Sequence, residues 1–182
     1  MYKKIVPSHY VKSILDIDYD SLYKQGIRAL FFDLDNTIIP YDVNIVPDEF
    51  KVFLESLLDR FKIVVTSNSK KKRVSRAVSN LEGIPYVSFS TKPLKFGFKR
   101  AMKLVGAKRE EVAVIGDQLM TDILGANRMK FRVAIFVYPV KKRSDHFLTR
   151  TNRKLEMIFI RKIKRKMPEK YEEVLKEYAE SK

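Results

Sequence analysis

Three observations predict an α/β domain built on a doubly wound, parallel, five-stranded sheet and followed by a basic helical tail. Five short apolar runs recur along the first 140 residues, stretches of helical spacing separate them, and the composition shifts past Pro139. Strand alternating with helix implies a parallel sheet. At 182 residues the chain suits one well-packed domain, expected to span residues 1–140, with an extension over 141–182 packed on it or flanking it.

The runs are Ala29-Leu30-Phe31-Phe32, Ile63-Val64-Val65, Pro85-Tyr86-Val87-Ser88-Phe89, Val112-Ala113-Val114-Ile115 and Val133-Ala134-Ile135-Phe136-Val137. Their β-branched and aromatic content suits strands buried on both faces. Helical spacing follows Pro47 (Phe50, Phe53, Leu54, Leu57 and Leu58) and returns over 73–81, 98–105 and 119–129. In the tail, Leu155, Ile158, Phe159, Ile163 and Met167 form a helical stripe among Arg161, Lys162, Lys164, Arg165 and Lys166, and Pro168 ends that pattern. Tyr171, Val174, Leu175 and Tyr178 form a second stripe.

Composition narrows the function classes. A hydrophobic fraction of 45% with 32% charged residues describes a globular chain with a real core. There is no cysteine, hence no disulfide framework, thiolate metal site or cysteine nucleophile. The basic start Met1-Tyr2-Lys3-Lys4 is not followed by the apolar stretch that export requires, and no run has the length of a membrane span. The expectation is a cytoplasmic protein, in peripheral contact with the membrane's inner face at most. A net charge of +15 favours polyanionic partners such as nucleic acid, anionic lipid or phosphorylated substrates. Residues 141–182 hold fourteen Lys or Arg against seven Asp or Glu, so nearly half of that excess lies in the tail.

In a parallel sheet the ligand site lies beyond the carboxyl ends of the strands. There stand Asp33-Leu34-Asp35-Asn36-Thr37, Thr66-Ser67-Asn68, Ser90-Thr91-Lys92-Pro93 and Gly116-Asp117-Gln118, one cluster after each of the first four runs. Two carboxylates one residue apart in extended chain point the same way, so Asp33 and Asp35 can flank one phosphoryl group. Asp117 arrives from another strand, and a third carboxylate is tolerable only if a cation offsets the repulsion. Mg²⁺ fits, being a hard ion that prefers oxygen ligands. A hydroxyl of Thr66 or Ser67 can donate to a phosphate oxygen, and Lys92, or else Lys95 or Lys99, can place a compact positive charge beside it. These are the parts that phosphoryl transfer needs.

The clusters, in this order and spacing, resemble the four motifs of the haloacid dehalogenase-like phosphatases. Asp33-Leu34-Asp35-Asn36-Thr37 is similar to the DxDxT first motif, Ser67 to the hydroxyl of the second, Lys92 to the lysine of the third, and Gly116-Asp117 through Thr121-Asp122 to the GDxxxTD fourth. The resemblance implies that Asp33 is the nucleophile and Asp35 the general acid and base. It implies Mg²⁺ held by Asp33, Asp117 and the Asp35 carbonyl, with Asp122 supporting the metal shell and Thr37 the loop. The Ser67-Asn68 pair fits the family pattern and selects Ser67, with Asn68 beside it, for phosphate binding. Pro7-Ser8-His9-Tyr10-Val11-Lys12-Ser13-Ile14, Gly26-Ile27-Arg28 and the DLDNT segment further resemble the YqeG-type branch. That branch is similar to mitochondrial and plastid phosphatases that remove the terminal phosphate of phosphatidylglycerophosphate, so a lipid phosphate is the substrate implied.

Ser67 follows Asp33 by 34 residues and Lys92 follows Ser67 by 25, which leaves no room for a folded cap at either place. An open site suits a large or membrane-held substrate, and the basic amphipathic tail suits an anionic surface, although such a stripe is more often a packing face. Rival readings are a phosphatase for nucleic-acid ends or soluble sugar and nucleotide phosphates, and an RNA-binding protein with incidental hydrolysis. No RNA motif or aromatic-basic platform supports the last. His9 and His146 have no metal-site neighbours, and the sequence sets no oligomeric state.

Overall fold

The computed structural model describes residues 2–140 and 147–181; the expected start of the tail at 141 and His146 lie outside the described residues. Strands β1 (His9–Val11), β2 (Ala29–Asp33), β3 (Lys62–Thr66), β4 (Tyr86–Val87), β5 (Val112–Gly116) and β6 (Val133–Val137) form a six-stranded sheet in the order β1-β6-β5-β2-β3-β4. Every pairing is parallel. The five predicted runs are β2 to β6, and the sheet has one strand more than expected. Strand β1 is three residues long and incompletely buried, so no apolar run announces it. Its pairing with β6 holds it, together with the Ser8 N–H donating to the Ala134 carbonyl at 2.7 Å.

Alternation along the strands assigns two cores. Leu30, Phe32, Ile63, Val65 and Ile115 face helices α1 (Tyr19–Lys24), α2 (Asp48–Ser56) and α3 (Lys71–Ala77). Ala29, Phe31, Val64, Val114 and Phe136 face the other side, against α4 (Lys95–Val105), a π-helical turn at Leu119–Ile123, α5 (Leu124–Met129) and the carboxyl-terminal helices α6 (Phe147–Lys166), α7 (Pro168–Val174) and α8 (Lys176–Glu180). Local signals set the ends of several helices. Asp18 caps α1 by accepting from the Ser21 N–H at 2.8 Å. Gly106, at φ +58°, closes α4, and Pro168 occupies the first turn of α7, where its missing N–H costs nothing.

The tail is a helical layer on the second core. Tyr171, Val174, Leu175 and Tyr178 are buried as their spacing predicts. Helix α6 follows its predicted stripe only in its later turns, where Ile163 is buried and Phe159 and Met167 pack on the second core. Leu155 and Ile158 are 40% and 59% exposed, while Arg153, Glu156, Ile160 and Ile163 are buried. Two charged residues displace two apolar ones from the inner face because that face meets polar groups at the end of β5.

Candidate active site

Register brings the polar clusters together. Asp33, the last residue of β2, pairs across to Thr66 on β3, while Phe32 pairs with Ile115, so Gly116 and Asp117 follow on the opposite flank. This is where strand order reverses: β3 and β4 extend to one side of β2, and β5 and β6 to the other. Beyond Asp33 the chain turns sharply. Asn36 takes φ +66°, its N–H donates to the Ile39 carbonyl at 2.6 Å, and Thr37 Oγ1 reaches back to Asp33 Oδ2 at 3.1 Å. Asparagine tolerates this left-handed conformation better than most side chains.

Lys92 lies at the centre. Its Nζ is 2.6 Å from Asp33 Oδ1, 2.7 Å from Asp122 Oδ1 and 3.0 Å from the Thr66 carbonyl, and the residue is 5% exposed. Burial alone would lower its pKa, but the Asp122 and Asp33 carboxylates outweigh burial and hold it above that of a free lysine. Lys95 and Lys99 are both exposed, which leaves Lys92 as the lysine at this position. Burial pushes the Asp33 carboxyl well above the usual carboxylate range; Lys92 opposes the shift, and the Asp122, Asp117 and Asp35 carboxylates add to it.

Asp35 occupies the outer half of the site. Its Oδ2 accepts from Ser67 Oγ at 3.0 Å and Ser69 Oγ at 2.7 Å, and its Oδ1 accepts from Arg73 Nη2 at 2.9 Å. Thr66 and Ser67 are thereby separated: Ser67 faces the site, whereas Thr66 Oγ1 turns to the Phe32 carbonyl at 3.4 Å. The Asn68 side chain is engaged with the loop after β4. Its Oδ1 accepts from the Lys92 N–H and Ser90 Oγ, both at 2.8 Å, and its Nδ2 donates to the Lys92 carbonyl at 3.0 Å, so its amide clamps the loop that delivers Lys92.

Asp117 and Asp122 form the inner wall. Asp122 Oδ2 accepts from the Gln118 N–H at 3.2 Å and Thr121 Oγ1 at 3.1 Å within the π-helical turn, a local geometry that recurs at functional sites. Asp117, fully buried, meets Arg153 of α6: Nη2 stands 2.5 Å from Oδ2 and Nη1 donates to the Asp117 carbonyl at 3.3 Å. Three residues on, Glu156 Oε1 accepts from the Leu119 N–H at 2.7 Å, and Tyr178 of α8 donates to Glu156 Oε2 at 3.3 Å. Sequence reasoning missed Ser69, Arg73, Arg153 and Glu156.

One oxygen from each of Asp33, Asp117 and Asp122 lies within 4.8 Å of the others. The Asp35 carboxylate is turned away from this trio, toward Ser67, Ser69 and Arg73. Four carboxylates thus face three cations, Lys92, Arg73 and Arg153, and a phosphoryl dianion would deepen the negative charge. A hard divalent cation suits such an all-oxygen donor set.

The family described as mitochondrial PGP phosphatase matches residues 1–141. The probable phosphatase YqeG of Bacillus subtilis (strain 168) is 37% identical over 175 residues, covering 95% of this chain and 100% of that protein. Phosphatidylglycerophosphate phosphatase 1, chloroplastic/mitochondrial, of Arabidopsis thaliana is 27% identical over 89% of this chain and 49% of the plant protein. The mitochondrial phosphatidylglycerophosphatase GEP4 of Saccharomyces cerevisiae is 33% identical over 57% of this chain and 63% of its own length.

Proposed function

This chain belongs to the mitochondrial PGP phosphatase family and is a phosphatase, and from that premise we propose that it hydrolyses a lipid phosphomonoester, phosphatidylglycerophosphate, through a phosphorylated Asp33. The observation that carries this reading is the position of Asp33: buried at the end of β2, with one oxygen held by Lys92 and the other by Thr37. A carboxylate fixed at both oxygens is oriented before substrate arrives.

In the first half-reaction an Asp33 oxygen bonds to phosphorus as the ester P–O bond breaks. The electron pair leaves with the ester oxygen, which takes a proton from Asp35 and departs as an alcohol. In the second half, water gives a proton to Asp35 and attacks phosphorus, and the acyl-phosphate P–O bond breaks to return the Asp33 carboxylate and release phosphate. Ser67 and Lys92 donate to the phosphoryl oxygens, and Arg73 and Ser69 hold Asp35 between the two steps. Mg²⁺ would be held by Asp33, Asp117 and the Asp35 carbonyl with Asp122 in support, and when bound it would neutralise charge on the phosphoryl oxygens. No described helix is long and apolar enough to cross a membrane; it is the lipid-phosphate reading that puts the enzyme at the membrane's inner face, on the cytoplasmic side.

Asp33→Asn, which keeps the shape and removes the nucleophile, is expected to abolish both turnover and acyl-phosphate labelling. Asp35→Asn is expected to slow turnover by about 10²- to 10⁴-fold. Chelation should remove wild-type activity and Mg²⁺ restore it. Full activity in the Asp33→Asn variant would end the covalent mechanism. A substrate panel of lipid phosphates, oligonucleotide phosphates and soluble monoesters tests the substrate, and a preference for either of the latter two would overturn the lipid reading.

A further inference from the structure

Several of the large apolar residues that the described structure leaves exposed sit in loops or first helical turns following the strands, on the same edge as Asp33. Four of these are tied to the loops that build the site. The Tyr41 carbonyl accepts from Arg73 Nη2 at 3.1 Å, and its N–H donates to Asn36 Oδ1 at 3.3 Å. Phe89 donates its N–H to the Ser69 carbonyl at 3.1 Å, and Leu94 donates to the Thr91 carbonyl at 2.8 Å. Phe96 follows in the first turn of α4 and is 71% exposed. Phe89 and Leu94 are each more than half exposed. Exposed lysines flank them: Lys70, Lys71 and Lys72 at the start of α3, and Lys95 as the first residue of α4.

We propose that this apolar, lysine-flanked rim is the surface by which the protein docks on an anionic bilayer, with the catalytic mouth facing the headgroups. The proposal rests on the lipid-phosphate reading. A lipid phosphate carries acyl chains that a site without a cap does not enclose, so they stay in the bilayer while the headgroup enters, and the mouth must come to the bilayer surface. Aromatic and aliphatic side chains beside lysines match that boundary, the apolar groups entering the interface and the ammonium groups meeting anionic headgroups. The match of charge favours a bilayer over a second copy of this chain, whose own rim would carry the same lysines. Helix α6 offers the competing surface, since Leu155 and Ile158 are exposed among Lys154, Arg161, Lys162 and Arg165. Those residues are not on the Arg153 and Glu156 face that meets the site, whereas the rim belongs to the loops that carry Asp35, Ser67 and Lys92.

The test compares wild type, Leu94→Ser/Phe96→Gln, and Arg161→Gln/Lys162→Gln/Arg165→Gln. Each is sedimented with phosphatidylglycerol-containing vesicles and with neutral phosphatidylcholine vesicles, and each is assayed on p-nitrophenyl phosphate. Both rim positions are exposed, so the fold should tolerate the changes. The expected result is anionic-vesicle affinity at least about tenfold weaker in the rim variant, with hydrolysis of the soluble ester unchanged. Equal affinity in rim variant and wild type, or loss confined to the α6 variant, would overturn the proposal. So would equal binding of wild type to neutral vesicles, or a wild-type dimer that the rim substitutions convert to monomer. Phosphatidylglycerophosphate in detergent micelles separates the two readings: docking through the rim without micelle hydrolysis sinks the substrate alone, and micelle hydrolysis without rim-dependent docking sinks the surface alone.

Discussion

At Gly116 one methyl group is enough to disturb the centre. A Cβ there would stand 2.4 Å from Asp122 Cγ, and Asp122 has no easy retreat, being held by the Gln118 N–H, Thr121 Oγ1 and Lys92. Gly116→Ala is therefore expected to displace Lys92 with Asp122 and lower kcat on a soluble monoester, on the order of 10²-fold for a shift near 1 Å. Overpacking should cost about 1–3 kcal/mol in a urea titration; an unchanged kcat would show that the centre can relax. The acidic residues here were legible in the sequence because Asp33 follows its apolar run directly, Asp117 follows its run after one glycine, and Asp35 and Asp122 keep a set distance from them. Of the cations only Lys92 was. Arg73 ends a run of four basic residues whose first three are solvated, and Arg153 is one of fourteen in the tail, so residue type cannot single out the one that turns inward.

Helix α6 joins that pairing to the rest of the fold. Its inner face carries Arg153 and Glu156 toward β5 and the π-helical turn, then Ile160 and Ile163 toward the second core. Removing one partner of a buried ion pair strands the other, so Arg153→Met is expected to cost about 3–5 kcal/mol, read from the urea midpoint. Arg153→Lys should recover part of this, because the charge returns without the two-pronged geometry. A midpoint unmoved in Arg153→Met would mean that the helix is held by its apolar residues alone. The element itself was legible, and so were its basic character and the inward packing of Phe159, Ile163 and Met167, but its first turns were not: Leu155 and Ile158 outweigh a pair of charges until the acidic partner at the end of β5 is known. Strand β1 escaped for the opposite reason, since three partly exposed residues carry too little pattern to mark a strand.

For the whole molecule, buried tyrosines link stability to pH. Burial pushes the Tyr10 hydroxyl up to about 12, with Glu177 and Tyr138 adding to it, and burial also raises Tyr19 and Tyr178. Each folded value exceeds the unfolded value near 10, so the unfolded chain releases these protons first. The stabilisation is whole below about pH 10 and is lost as pH climbs from there through the folded values. Urea midpoints should fall between pH 9 and pH 11, and less steeply in Tyr19→Phe; an identical slope in that variant would remove Tyr19 from the effect. The same global packing also sets an order of assembly. Among the described residues strand β1 pairs with β6 alone, and Asn127 Nδ2 donates to the Lys4 and Val6 carbonyls, so this early segment waits for partners made more than a hundred residues later. Arg153 emerges later still, after every strand. A nascent chain can thus carry its whole sheet and all four acids while the Asp117 clamp is still missing, and the centre is finished only once α6 has followed.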